Sequence, residues 1–179
     1  MSEAFNKEAL IHAEALHRFA LRLCRDGHDA EDLLQETFLS AYRSFHQYKE
    51  GTNCKSWLFR IMHNAFRKKW RKKENQVTHV AIEQEGGDYI LHNHLMETDK
   101  TYQDNPEKRL LDLIPSEKMQ KALEALSEEY RTVLLLCDVE GLSYKEVAEI
   151  VDVPVGTVRS RLSRARGTVQ RRLTLDIAN

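Results

Sequence analysis

Apolar residues recur at helical spacing in two blocks, and the period disappears between them. Ala13, Leu16, Ala20 and Leu23 mark one face of a predicted helix over 8–25. Asp26-Gly27 is expected to end it, because glycine suits a helix C-terminus. A second helix is predicted over 29–45, with Leu34, Phe38, Ala41 and Phe45 on its apolar face. Asp29, Glu31 and Asp32 fall in its first turn, where carboxylates meet the positive end of the helix dipole. After a loop over 46–54, a third helix over 55–73 offers Trp57, Leu58, Ile61, Met62 and Ala65 for packing. No period is sustained from 74 to about 104, and Asn105-Pro106 and Pro115 punctuate the stretch up to 115. From Ser116 the period returns, predicting helices over 117–126, 128–139, 143–151 and 155–173. Ser127 is placed to cap the second of these and Gly141 to end it. Ser143 with Glu146 is a capping-box pair at the start of the third. The expectation is an all-α chain: two small helical domains, 1–73 and 116–179, joined by a flexible acidic linker over 74–115.

Charge sharpens this division. The chain of 179 residues has a formal net charge of -1, which hides its distribution. From Met1 to Lys73 there are 14 Lys/Arg against 9 Asp/Glu; from Glu74 to Met119 the count is 4 against 10; from Gln120 onward it is 9 against 9. Basic clusters on two modules, parted by an acidic segment, point to an extended anionic partner such as nucleic acid. Domains this small are only marginally stable alone. Cys24, Cys54 and Cys137 are three in number, far apart and without CxxC spacing, which argues against a disulfide framework or a zinc ribbon and suits a reducing cytoplasm. The opening MSEAFNKEAL does not read as a signal peptide, and no run approaches a membrane span, so no membrane insertion is expected.

The segment 142–166 has the layout of a helix-turn-helix: a short capped helix, a tight turn at Asp152-Val153-Pro154, and a longer basic helix. Ala148, Ile150, Val153 and Val158 are expected to fill the angle between the two helices. Arg159, Ser160, Ser163 and Arg164 share one side of the second helix, where arginine can donate a bidentate pair to guanine. Arg161, Arg166, Arg171 and Arg172 spread around it as phosphate contacts. A solvated basic helix, or one that binds acidic protein, is the plainer alternative; the capping box, the turn and Pro154 weigh against it.

The helix over 55–73 mixes Trp57, Phe59, Phe66 and Trp70 with Arg60, Arg67, Lys68, Lys69 and Lys73. Cations follow a phosphate backbone and aromatic faces stack on unpaired bases, a combination suited to separated strands. The alternative is that the aromatics are core and the basic run a solvated end. In the preceding helix Asp29, Asp32 and Glu36 line one side, flanked by Gln35 and Leu39. They form either a docking stripe for a basic partner or a solvated face.

These residues together resemble a family. Asp29-Ala-Glu-Asp-Leu-Leu-Gln-Glu-Thr-Phe38, Ala41-Tyr42-Arg43-Ser44-Phe45 and Ser56-Trp57-Leu58-Phe59-Arg60-Ile61 resemble region 2 of the extracytoplasmic-function (ECF) sigma factors of bacterial RNA polymerase. Leu142-Ser-Tyr-Lys-Glu-Val-Ala-Glu-Ile150 and Pro154-Val-Gly-Thr-Val-Arg-Ser-Arg-Leu162 resemble their region 4. The resemblance implies promoter-specific initiation with core RNA polymerase and promoter DNA as partners. It implies that Asp29, Asp32, Gln35, Glu36 and Phe38 dock on the polymerase clamp helices. Lys49, Asn53, Trp57, Arg60, Asn64, Arg67, Lys68 and Lys69 would read the −10 element, with a base extruded into a loop pocket at a few kcal/mol. Thr157, Arg159, Ser160, Arg161, Ser163, Arg164 and Arg166 would read the −35 element. The helices around Leu126 to Leu136 would meet the polymerase flap. The loop Lys49 to Cys54 is loosely similar to the branch paired with zinc-binding anti-sigma factors, so an anti-sigma partner is expected.

Two other classes compete. A dimeric helix-turn-helix repressor would explain the C-terminal module, but leaves the aromatic-basic helix idle and lacks a spare apolar face. An enzyme would need a site. His92, His94 and Asp88 lack a second ligand cluster, and no phosphate loop, nucleophile elbow or carboxylate pair is visible. No cofactor, metal or catalytic residue is therefore expected.

Overall fold

The computed structural model describes residues 2–24, 26–49, 51–74 and 116–175. The described helices are α1 (Ser2–Ala9), α2 (Ala13–Leu23), α3 (Gly27–Ser44) and α4 (Cys54–Glu74), then α5 (Ser116–Glu124), α6 (Glu128–Leu134), α7 (Tyr144–Val151) and α8 (Val155–Leu175). No strand occurs among the described residues. The linker expected over 74–115 falls, apart from Glu74, outside them, as do His92, His94 and Asp88.

In the first unit α3 lies between α2 and α4, and α1 packs across α4. Leu16, Phe19, Leu23, Leu33, Leu58, Phe59 and Met62 form its core. The sequence pattern does not mark α1 as a helix. Its anchor is Phe5, whose ring meets Tyr42 edge-on at 5.3 Å and Phe45 at 5.2 Å. Phe5 and Ala9 are one helical turn apart and both buried, a signal too short to stand out alone.

Two local expectations are corrected. Gly27 does not end a helix; it is the first residue of α3. The true stop is Cys24, which turns extended, and Asp26 is the N-cap of α3, accepting from the amides of His28 at 2.8 Å and Asp29 at 3.2 Å. An aspartate beside a glycine serves a helix start as readily as a stop. The buried face of α3 is also rotated from the expected one. Ala30, Leu33, Thr37 and Ala41 are buried, whereas Leu34 and Phe38 are only partly so. Thr37 is tolerated there because its hydroxyl donates to the Leu33 carbonyl at 2.7 Å.

In the second unit α8 is the hub, packed by α5, α6 and α7. The helix expected over 128–139 is not uniform: after α6 the chain widens into a π-turn, Leu135–Val139. That turn keeps Leu135, Leu136 and Cys137 inside, and burial pushes the Cys137 thiol up to about 12. Ser127 stands at the N-terminus of α6 but makes no side-chain cap bond. Gly141, at φ +68, makes the reversal into the next helix, in backbone space that favours glycine. The capping box of α7 is formed in full: the Ser143 hydroxyl accepts from the Glu146 amide, and the Glu146 carboxylate accepts from the Ser143 amide at 2.8 Å. Asp152 then adopts the left-handed conformation at φ 55 and closes α7.

The two units pack on each other, through α4 against α7 and α2 against α6. Lys55 donates to the Glu140 carboxylate at 3.0 Å and to its carbonyl at 2.8 Å. Asn53 donates to the Glu146 carboxylate. Arg131, buried at 5% exposure, donates to the carbonyls of Leu123, Glu124 and Leu126 at the end of α5. It also reaches across to Leu23 at the end of α2, at 3.0 Å.

Candidate nucleic-acid interface

The angle of the helix-turn-helix is filled as expected. Ala148, Ile150 and Val158 are buried and Val153 partly so. Val153 donates its amide to the Ala148 carbonyl, and the Pro154 carbonyl accepts from Thr157 at 2.9 Å and Val158 at 3.2 Å. Proline therefore sits where no amide is needed, and α8 leaves the turn at a fixed angle.

On α8 the structure separates the arginines into two groups. Arg159, Ser160, Ser163 and Arg164 are exposed and lie along one side. The Arg159 guanidinium is 5.7 Å from the Tyr144 ring centre, and Arg164 approaches the Tyr130 hydroxyl at 3.5 Å, so both are steered by neighbouring aromatics. Arg161 instead pairs with Glu129 at 2.7 Å, and Arg166 forms a two-pronged pair with Asp138 at 2.9 and 2.6 Å. The Asp138 side chain is 7% exposed, so Arg166 acts as a strut holding α8 to the π-turn. Sequence periodicity could not find this, because the partner lies in a stretch expected to be plain helix. Thr157 is half-buried at the start of α8. Arg171 and Arg172 are exposed further along.

In α4 the aromatics divide likewise. Phe59 and Phe66 are 0% and 4% exposed and belong to the core, so they are not free to stack on bases. Trp57 is half-buried against Tyr48 at 5.2 Å and Phe45 at 6.2 Å, forming the floor under the preceding loop. That loop is built from its own polar groups. Tyr48 donates to the Thr52 carbonyl at 2.8 Å, and Thr52 donates to the Lys49 carbonyl at 2.7 Å through its hydroxyl. Gly51 turns at φ +82, again in space suited to glycine. Asn53 caps α4, its side-chain oxygen accepting from the Ser56 amide at 3.1 Å. Lys49, Arg60, Asn64 and Lys68 are exposed and Arg67 half-exposed. The side chains of Lys69 and Trp70 lie outside the described residues. Arg60, Asn64 and Lys68 thus present a polar, cationic stripe beside Trp57, while Lys55, Phe59 and His63 face other helices.

On α3, Asp32, Gln35 and Glu36 are exposed, and Asp29 and Phe38 half-exposed. Leu39 and Tyr42, at 46% and 41% exposure, add an apolar margin to this acidic stripe. Among the described residues no group of His, Cys, Asp or Glu is arranged to hold a metal, and no helix is long and apolar enough to cross a membrane.

A capped helix-turn-helix with outward arginines, packed beside a unit bearing a cationic helix and an acidic stripe, defines a two-domain DNA-reading protein. Residues 10–76 match the family model for sigma-70 region 2, and residues 116–173 that for sigma-70 region 4. The chain is 30% identical over 176 residues to the ECF RNA polymerase sigma factor EcfG of Rhodopseudomonas palustris, covering 98% of this chain and 88% of that protein. It is 38% identical over 155 residues to the ECF sigma factor SigE of Mycolicibacterium smegmatis, covering 87% of this chain and 56% of that longer protein. The sigma factor RpoE of Bartonella quintana, solved in complex with the anti-sigma factor NepR, has a TM-score of 0.70 at 29% identity, covering 97% of this chain and 99% of that one. The chain belongs to the ECF family of RNA polymerase sigma factors, initiation factors that direct polymerase to promoters.

Proposed function

We propose that α8 reads the duplex −35 element through Arg159, Ser160, Ser163 and Arg164, while the α4 stripe and its loop read the opened −10 element. The observation that carries this is the separation of arginines on α8: one exposed side faces outward from the capped turn, and Arg161 and Arg166 are turned to acidic partners. In a helix-turn-helix the outward N-terminal half of the second helix meets base edges in the major groove. On α4, Trp57, Arg60, Asn64 and Lys68 supply one aromatic edge and cations for a single strand. The protein acts by binding, and the polymerase supplies the chemistry; its place of work is the cytoplasm.

Run-off transcription with bare core polymerase tests the reading directly: the chain confers promoter-specific starts, which a dimeric repressor cannot do. Replacing Arg159 or Arg164 by Ala is expected to cost about 1–3 kcal/mol of discrimination at the −35 element. Promoter selection unchanged in both variants would remove α8 as the reader.

The acidic stripe Asp32, Gln35 and Glu36 with Leu39 is proposed as the dock for core polymerase, since charge with an apolar margin suits a basic partner. Reversing Asp32 and Glu36 to Lys is expected to weaken polymerase capture at least about tenfold while sparing −35 duplex binding by the chain itself. Capture that survives the reversal leaves the stripe as mere solvated surface. An anti-sigma factor is a further proposed partner, supported by the solved RpoE–NepR complex of a protein so similar along its whole length.

A further inference from the structure

The two arginines assigned to base reading stand at the margins of the outward face of α8. At about 100° per residue, Arg159 and Arg164 are about 140° apart around the helix, with Ser163 at about 40° and Ser160 at about 100° between them. Small serines leave room at the centre, and a long cation stands at each side. A different helix meets each cation. Tyr144, the first residue of α7, brings its ring centre to 5.7 Å from the Arg159 guanidinium. Tyr130, in α6, brings its hydroxyl to 3.5 Å from Nη1 of Arg164.

Both rings are themselves held. Tyr130 and Tyr144 are partly buried and packed on the core, whereas Arg159 and Arg164 are exposed. An arginine has many rotamers, and fixing one of them on binding costs affinity. Two-pronged donation to a guanine edge works only with the guanidinium plane at one attitude. A phosphate asks less, because charge alone attracts it. A tyrosine is neutral and leaves the charge of the arginine whole. What it supplies is direction, the property that separates base reading from general attraction to DNA.

We propose that Tyr144 and Tyr130 are positioning residues that set −35 specificity, Tyr144 by holding Arg159 against its ring face and Tyr130 by holding Arg164 with its hydroxyl. The proposal rests on the assignment of α8 as the −35 reader and adds two residues from outside that helix. The two holds differ in kind. Tyr144 acts through its π face, so phenylalanine can stand in for it. Tyr130 acts through an oxygen at the long end of hydrogen-bond range, so phenylalanine cannot, and its effect is the smaller.

The test measures binding of the holoenzyme, the full chain with core polymerase, to a promoter it starts from and to single-base-pair variants across the −35 element. Arg159→Ala and Arg164→Ala first locate the base pairs that each arginine discriminates. Tyr144→Leu is expected to lower discrimination about threefold to tenfold at the Arg159 base pair, and Tyr144→Phe to keep it. Tyr130→Phe is expected to lower it about twofold to threefold at the Arg164 base pair. With Arg159→Ala already present, Tyr144→Leu is expected to add no further loss. The salt dependence of binding is expected to stay the same in all three tyrosine variants, since the number of cations is unchanged. A loss spread evenly over every base pair, an equal loss in Tyr144→Phe and Tyr144→Leu, or a loss that persists without Arg159 would each overturn the proposal and leave the ring as packing. Tyr130→Phe removes one oxygen and keeps the packed ring, so it decides the matter for Arg164 even where Tyr144→Leu fails to fold; full discrimination in that variant removes Tyr130 from the role. If the arginine variants lose discrimination and the tyrosine variants do not, α8 remains the reader and the positioning role falls. If neither arginine variant loses any, the reader assignment itself falls, and the positioning role with it.

Discussion

Replacing Arg131 by Met is expected to destabilise the chain by about 3–5 kcal/mol, because a buried cation would vanish from four carbonyls at once. The guanidinium donates through Nε to Leu123, through Nη1 to Leu23 and through Nη2 to Glu124 and Leu126, all within 3.2 Å. Three of these carbonyls lie at the end of α5, where a helix leaves its last acceptors without partners. Methionine keeps most of the apolar stem, so the loss measures the hydrogen bonds rather than a cavity. Urea unfolding of the full chain gives the number. A loss below about 1 kcal/mol would mean that water replaces the guanidinium, and that Arg131 is not the tie between the units.

Acid is expected to weaken the fold by about 3 kcal/mol between pH 6.5 and 4 through His63 alone. Burial is the main cause of its lowered pKa, about 4; the Arg67 charge lowers it further, and a backbone hydrogen bond with Ile150 opposes both. Its Nδ1 has no hydrogen-bond partner, so a second proton would sit unpaired. The folded pKa lies below the ordinary 6.5. The stabilising effect of the neutral ring is therefore complete above pH 6.5 and is lost as pH falls toward 4, because the unfolded chain takes a proton that the folded chain refuses. Glu146 adds to acid sensitivity at lower pH. Burial pushes its pKa up, but the hydrogen bonds from Ser143 and Asn53 and the Lys55 charge outweigh this and hold it down. Stability measured from pH 7 to 4 for the native chain and for His63→Gln isolates the imidazole. Two parallel curves would show that the ring is protonated or open to water in the folded protein.

Much of the architecture is legible in the residues. The period from Ser116 onward places four helices, and the pair Ser143 and Glu146 marks the start of α7 because a capping box is a local event. The basic side of α8 is visible from Arg159, Ser160, Ser163 and Arg164, since residues four apart share a helix face wherever that helix is packed. Less visible is anything depending on a partner far along the chain. Leu34 and Phe38 match a helical period as well as Leu33 and Thr37 do. Only packing against α2 and α4 chooses between the two faces, and Thr37 can be buried because it bonds its own helix. Phe59 and Phe66 look like base-stacking groups for the same reason; their neighbours on other helices make them core. Arg166 reads as a phosphate contact until Asp138 comes within reach, and nothing in the spacing around Arg131 singles it out before the α5 carbonyls converge on it.

By itself, the sequence determined that this chain is helical, that its cationic helices fall in two modules, and that one module is a helix-turn-helix with a capped entry. Those properties follow from spacing and cap chemistry, which act over a few residues. Tertiary structure alone decided which arginines point outward, which aromatics are core, and that Lys55 meets Glu140. These depend on which helix surfaces lie against each other, and burial converts the same side chain from a DNA contact into a strut.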